Sequence, residues 1–179
     1  YAWPDPVYLD INRIEERLRQ YENYAVFSGM WAPFFHNVAD FFGMENYFVK
    51  MYTHPAVVEA VTEHVVQYSL AANERLFAAC GHLIDVYFFG NDFGSQESLL
   101  ISPAMFRRFV LPYMRRLIAL AKAHGLKVML HSCGAIGAVI PDLLDAGIDA
   151  LHPLQARARG MSAAELARYK NRLAYMGGV

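Results

Sequence analysis

The segment Lys127–Gly137, KVMLHSCGAIG, runs as an apolar strand into a histidine and a cysteine two residues apart, His131 and Cys133. In extended chain, residues i and i+2 face the same way, so an imidazole and a thiol arrive together. That pair suits zinc, a borderline-soft ion that accepts both donors and needs no redox chemistry. A catalytic zinc takes three protein ligands and keeps one position open, so the pair is half a site. The third ligand is left open among Asp92, His152 and a residue beyond Val179. The competing reading is a buried structural cysteine beside a strand-end histidine, because free cysteine is among the most buried residue types. The other cysteine, Cys80, falls at a helix C-terminus entering a strand, which puts it on the opposite rim.

In parallel α/β folds, functional groups gather at the carboxyl ends of strands. Here the strand VYFFG is followed by Asn91, Asp92, Ser95 and Gln96, and the strand IDAL by His152 and Gln155. With His131 and Cys133 between them, successive strands deliver acid–base or ligand groups to one rim. Asp92 and His152 are the candidate acid–base groups, joined by His36, which follows soon after a strand ending at Gly29. Asn91, Gln96, Gln155 and Arg157 are candidates for holding substrate, Arg157 through a carboxylate or phosphate. The remaining histidines take structural positions, such as His54 before a helix-starting proline and His124 in a last helical turn. The aromatic stretch from Trp31 to Tyr52 reads first as core packing and second as a pocket wall.

The elements that position these groups alternate. A helix over residues 11–21 precedes a short strand in YAVFSGM, and short helices broken at Pro33 and Gly43 follow. Pro55 opens a long helix with Val58, Val61, Val65, Tyr68, Leu76 and Ala79 as its apolar stripe, stopped by Gly81. Then strand and helix alternate. IDVYFFG is followed by a helix from Ser102-Pro103, kinked by Pro112 and ended by Gly125. LKVMLHS is followed by a stripe of Ile136, Val139, Ile140, Leu143 and Leu144. IDALHPL is followed by a helix capped by SAAE, and RLAYMGG is the last strand. This rhythm implies a parallel sheet with helices outside it. About five strands are visible, whereas a complete (β/α)8 barrel takes ~250 residues, so a partial barrel is expected. A small doubly wound sheet is the alternative, although no G-x-G-x-x-G follows the first strand.

Bulk properties narrow the classes. The 179 residues are 55% hydrophobic and 18% charged, the balance of one soluble globular domain spanning 1–179. A net charge of −1 leaves no footprint for nucleic acid. No apolar run reaches the roughly 18 residues of a membrane span. Two cysteines give no disulfide framework, and free thiols point to a reducing, cytoplasmic setting. The start without methionine and the end at AYMGGV lead to the expectation of a segment from a longer protein.

The stretch from FFGNDFGSQESLL to LHSCGAI, with DLLDAGIDALHPLQ, LAYMGGV and FGMENYFVKMYTHPAVV, resembles the uroporphyrinogen decarboxylase superfamily. The likeness runs from about Tyr24 to Val179 and implies a (β/α)8 barrel. It also implies one of two chemistries. The decarboxylases act on a tetrapyrrole, as in porphyrin biosynthesis, without metal or cofactor. They use N-terminal arginines, an aspartate, a tyrosine and a C-terminal histidine. The tyrosine position falls at His36 in WAPFFH, a departure from that pattern. The other branch moves a methyl group between a corrinoid protein and a thiol such as coenzyme M, using zinc on His-x-Cys and a distant cysteine. The HSC of His131 to Cys133 matches the first half of that motif, and no cysteine follows it before Val179. The resemblance therefore implies a zinc-dependent methyltransferase, with a cofactor-free decarboxylase as the alternative. A non-catalytic partial barrel that self-associates through its sheet edges is a further alternative.

Overall fold

The structure, a computed structural model, describes residues 3–178. Its sheet holds five strands, β1 (Phe27–Ser28), β2 (Val86–Gly90), β3 (Lys127–His131), β4 (Ala150–Leu154) and β5 (Ala174–Gly177). All pairings are parallel and the spatial order is the sequence order, β1-β2-β3-β4-β5. A doubly wound sheet reverses its order at a switch point, and this one does not. Right-handed crossovers between successive neighbours keep the connecting helices on one face, as in a barrel wall. The expected partial barrel is the arrangement found.

The described residues form eight α-helices, one before β1 and seven in the connections: α1 (Ile11–Arg19), α2 (Phe34–Phe42), α3 (Met44–Thr53), α4 (Pro55–Cys80), α5 (Pro103–Phe109), α6 (Leu111–Ala123), α7 (Ile140–Ala146) and α8 (Ala163–Leu166). Their starts follow local chemistry. Asp10 and Ser102 accept N–H bonds from Arg13 and Met105, and Ser162 with Glu165 forms the expected capping box. The proline at 112 does more than kink its helix. It has no N–H for the Arg108 carbonyl, and the chain breaks at Val110 (φ −121°, ψ −55°) into α5 and α6.

The stripe expected on α4 is corrected. Val61, Val65 and Tyr68 are half-buried and Ala79 is exposed. The buried face runs instead through Val58, Thr62, Val66, Ser69, Asn73, Leu76, Phe77 and Cys80. Periodicity in apolar residues missed it because three of its members are polar yet satisfied. Thr62 and Ser69 donate to carbonyls one turn back, at 2.8 and 3.3 Å. Asn73 accepts the Met30 N–H at 2.6 Å and so anchors the chain leaving β1.

The two faces of the sheet differ in burial, and period-2 alternation assigns each residue to one of them. Tyr87, Phe89, Val128 and Leu130 point to the helices and are fully buried. Phe88, His131 and His152 point the other way and are only partly covered. One face is sealed by helices, and the other carries the partly covered Phe88, His131 and His152.

Register is fixed at the amino ends by a device used twice. Ile84-Asp85 and Ile148-Asp149 each precede a strand. The Asp85 carboxylate accepts the Val26 N–H at 2.7 Å, and the Asp149 carboxylate accepts the Val128 N–H at 2.7 Å. Each aspartate thus clamps the start of the preceding neighbour strand. Burial raises the Asp149 pKa, but Lys122, the Val128 N–H and Lys127 outweigh it and hold the carboxyl below its ordinary value. A depressed carboxylate contributes stability above its unfolded pKa of roughly 3.9 and loses it as pH falls through the folded value. Asp149→Ala should therefore lower unfolding stability by about 1.5–3 kcal/mol at neutral pH. In urea titrations the gap between variant and parent should close as pH is lowered below roughly 4.

Candidate metal centre

The register pairs Gly90, His131 and His152 side by side, the first two at the carboxyl ends of β2 and β3 and His152 midway along β4. A Cβ at Gly90 would lie 2.4 Å from the His131 Cβ, so only glycine leaves room for that histidine. The ring of His131 is held on two edges. Its Nδ1 lies 3.0 Å from His152 Nδ1, and its Nε2 lies 3.2 Å from Asp92 Oδ1 and 3.8 Å from Cys133 Sγ. Asp92 is aimed by the Cys133 backbone, whose N–H donates to Oδ1 at 2.8 Å. Donor atoms of Asp92, His131 and Cys133 all lie within 4.8 Å of one another, the one such trio among the described residues.

These separations suit a small tetrahedral ion. Zinc bonds of about 2.0–2.3 Å at tetrahedral angles place neighbouring donors roughly 3.3–3.6 Å apart. The observed N–O and N–S gaps of 3.2 and 3.8 Å bracket that range. A carboxylate and a thiolate would also offset the charge of a dication, leaving the imidazole neutral. Asp92, one of the ligands left open by the sequence, is therefore the third donor brought to His131 and Cys133, and the set is compatible with zinc.

The electrostatics point the same way. Burial, and then the adjacent Asp92 carboxylate, push the Cys133 thiol above its ordinary value. The thiol therefore keeps its proton unless a cation compensates the thiolate. Burial and the neighbouring His131 hold His152 below its ordinary value, so its ring is neutral at pH 7.

The loops after β2 and β3 are laid backbone to backbone. The Phe93 N–H donates to Ser132 Oγ at 3.1 Å and the Ala135 N–H to the Ser95 carbonyl at 2.8 Å. A Cβ at Gly134 (φ +84°) would lie 2.3 Å from the Gly94 oxygen. That closeness is what carries Asp92 to Cys133.

The other candidates divide. Gln96, Gln155 and Arg157 line one rim cleft of about 810 Å3, beside Pro153 and Gly177. Within it Gln96 donates to Gln155 Oε1 at 2.9 Å, and the same oxygen accepts the Gly134 N–H at 2.8 Å. Asn91 is buried, its amide accepting the Phe35 N–H at 2.8 Å and donating to the Ala32 carbonyl at 3.2 Å. It ties the start of α2 to the end of β2 and does not face the cleft. His36 sits in the first turn of α2 with its ring edge-on to Phe35 at 5.7 Å, outside the trio. Arg159 pairs with Glu97 at 2.8 Å on the surface.

Two aromatic rings flank the histidines: Trp31, from the stretch whose second reading is a pocket wall, and Phe88, which the sequence did not single out. Trp31 stands 5.6 Å from the His131 ring and Phe88 stands 5.4 Å from the His152 ring, both edge-on. Phe35 and Tyr47, from the same aromatic stretch as Trp31, are fully buried core. The stretch thus supplies both core and wall. Position at a strand end, as for Trp31 after β1, is the signal that separates the two.

Comparison with known proteins supports this architecture. No curated protein matches the chain. Among solved structures, a methyltransferase from Methanosarcina mazei is similar with a TM-score of 0.60 at 16% identity. The likeness covers 87% of this chain and 44% of that one, so the chain spans less than half the length of its neighbour. At that identity the likeness speaks for the fold. The family model for uroporphyrinogen decarboxylase (URO-D) matches residues 5–178, nearly the whole chain, which therefore belongs to the uroporphyrinogen decarboxylase family.

Proposed function

We propose that the chain carries the metal half of a zinc-dependent methyltransferase, which moves a methyl group from a corrinoid or other methyl donor to a thiol. The observation that carries this reading is the trio of Asp92, His131 and Cys133 with donor atoms within 4.8 Å. The likeness to a methyltransferase among solved structures is in keeping with it. His131 Nε2, Cys133 Sγ and one Asp92 oxygen would hold the ion. When bound, zinc lowers the pKa of an incoming thiol and presents it as a thiolate nucleophile.

The chain's own groups have defined tasks in this reading. Cys133 gives up its proton on metal uptake, and the Asp92 carboxylate, already bonded to the Cys133 N–H, keeps the donor set close without a large loop movement. Trp31 and Phe88 provide an apolar flank against which a methyl-bearing group packs. Arg157, exposed at the rim cleft with Gln96 and Gln155, is positioned for an anionic tail of the small-molecule substrate. The methyl donor would be a corrinoid carried on a partner protein. A cytoplasmic setting and assembly into homo-oligomers complete the proposal. In keeping with the former, no helix is long and apolar enough to cross a membrane among the described residues.

The alternative within the family is cofactor-free decarboxylation of a uroporphyrinogen-like polycarboxylate, with Asp92, His131 and His152 as the proton-handling groups. Its favouring observation is the continuous contact from Asp92 through His131 to His152, at 3.2 and 3.0 Å.

Metal analysis separates the two. The protein purified without chelator should hold about one zinc per chain, and Cys133→Ser should lose it; a metal-free parent overturns the methyltransferase reading. Activity gives an independent check. Demethylation of methylcobalamin in the presence of a thiol is the expected outcome, whereas carbon dioxide release from a porphyrinogen polycarboxylate would establish the alternative. Assembly is tested separately. β1 and β5 are the sheet edges among the described residues, and unpaired edges favour pairing between chains. The 179-residue chain expressed alone should sediment as dimers or larger species; a monodisperse monomer would count against it.

A further inference from the structure

The two ring nitrogens of His131 face opposite ways, and their partners make incompatible demands on one proton. Nε2 faces Asp92 Oδ1 at 3.2 Å and Cys133 Sγ at 3.8 Å, while Nδ1 faces His152 Nδ1 at 3.0 Å. A neutral imidazole carries a single N–H, so it donates at one edge and accepts at the other. In the chain alone, the carboxylate oxygen beside Nε2 requires the proton there, because two lone pairs at 3.2 Å repel. His131 Nδ1 is then an acceptor, and the 3.0 Å contact forms with His152 as donor. A metal at Nε2 requires the opposite. That nitrogen must offer its lone pair, the proton must sit on Nδ1, and His152 must become the acceptor.

We propose that His152 is the positioning residue of the metal centre, and that metal uptake at His131 Nε2 is coupled to a paired tautomer exchange in the two rings. The shared proton passes from His152 Nδ1 to His131 Nδ1. His131 releases its Nε2 proton to solvent and His152 takes one from solvent at its own Nε2, so the number of protons on the pair is unchanged. His152 is not a ligand in this scheme. It lies behind His131, on the far edge from Asp92 and Cys133, and does not belong to the trio whose donors converge. The inference rests on the zinc reading above and adds to it how the first ligand is oriented.

The geometry supporting this role is built into the sheet. His131 and His152 are register partners on adjacent parallel strands, and the Ser132 N–H donates to the His152 carbonyl at 2.8 Å, closing the ladder just past them. Phe88 stands edge-on to both rings, at 6.4 Å from His131 and 5.4 Å from His152, which limits their rotation.

The test uses the protein with imidazole 15N labels, zinc-free and after addition of one equivalent of zinc. Long-range 1H–15N correlation should report His152 as the Nδ1–H tautomer without zinc and the Nε2–H tautomer with it, while His131 binds through Nε2. Zinc affinity, read by competition with a chromophoric chelator, should fall about 10–100-fold in His152→Phe. His152→Gln, whose amide oxygen can accept the Nδ1 proton, should restore most of it. An unchanged His152 tautomer in a parent that binds zinc stoichiometrically overturns the coupling and leaves the zinc reading standing. Equal affinity in His152→Phe does the same, as does loss of zinc in both variants together, which would mark His152 as a ligand. Failure of the parent to bind zinc overturns both.

Discussion

Neighbouring parallel strands hold paired residues about 4.8 Å apart, and a slip of one residue turns every side chain to the other face. The chemistry of this chain depends on that constraint. With Gly90, His131 and His152 in register, two imidazoles share one face and meet at 3.0 Å. A single-residue slip of β4 would put Leu151 or Pro153 beside His131 and send His152 toward the helices. The close approach has a cost at the third position. The β2 end lies so near His131 that a side chain there would collide, and glycine fills it.

The same lateral closeness continues past the strands. Asp92 reaches Cys133 because the two loops run with backbone against backbone at Gly94 and Gly134. Loops in parallel α/β folds are commonly the mobile part of a site. Here the Phe93, Cys133 and Ala135 N–H groups all find acceptors across the loop pair. A side chain on such a loop is pre-positioned, which lowers the ordering cost of binding. Gln155 takes part from β4's side by accepting the Gly134 N–H, so a residue read as substrate-binding also braces the loop beside Cys133.

How much of this was legible in the sequence follows from what periodicity can encode. Strand ends were legible, because apolar runs stop there and polar residues of ligand type begin. That pattern brought out Asp92, His131, Cys133 and His152 together and left the third ligand open among Asp92, His152 and a residue beyond Val179. The winding of the sheet was less so. Alternation of helix and strand fits a barrel wall and a doubly wound sheet equally, and only the spatial order β1-β2-β3-β4-β5 separates them. Least legible were residues whose task is to satisfy backbone. Asn91 looked like a rim group because amides bind substrates, yet its amide is spent on Ala32 and Phe35. Thr62, Ser69 and Asn73 broke the apolar stripe of α4 for the same reason, since a buried polar group is tolerated wherever the chain itself pairs it.

The rim register is in turn set at the other end of the sheet. Asp85 and Asp149 stand before β2 and β4, one strand apart, and each bonds the first N–H groups of the strand preceding it. Their backbone carbonyls continue the pattern, accepting from Lys127 and Ala174 at 3.1 and 2.9 Å. Each aspartate therefore ties three strands, taking the strand before through its carboxylate and the strand after through its carbonyl. Because a strand of five residues is short, fixing its start fixes its end. The same Ile-Asp step that leads into β4 delivers His152 opposite His131, three residues' rise beyond Asp149. Acidic residues remote from the rim, with no part in its chemistry, thus decide which nitrogens face each other there.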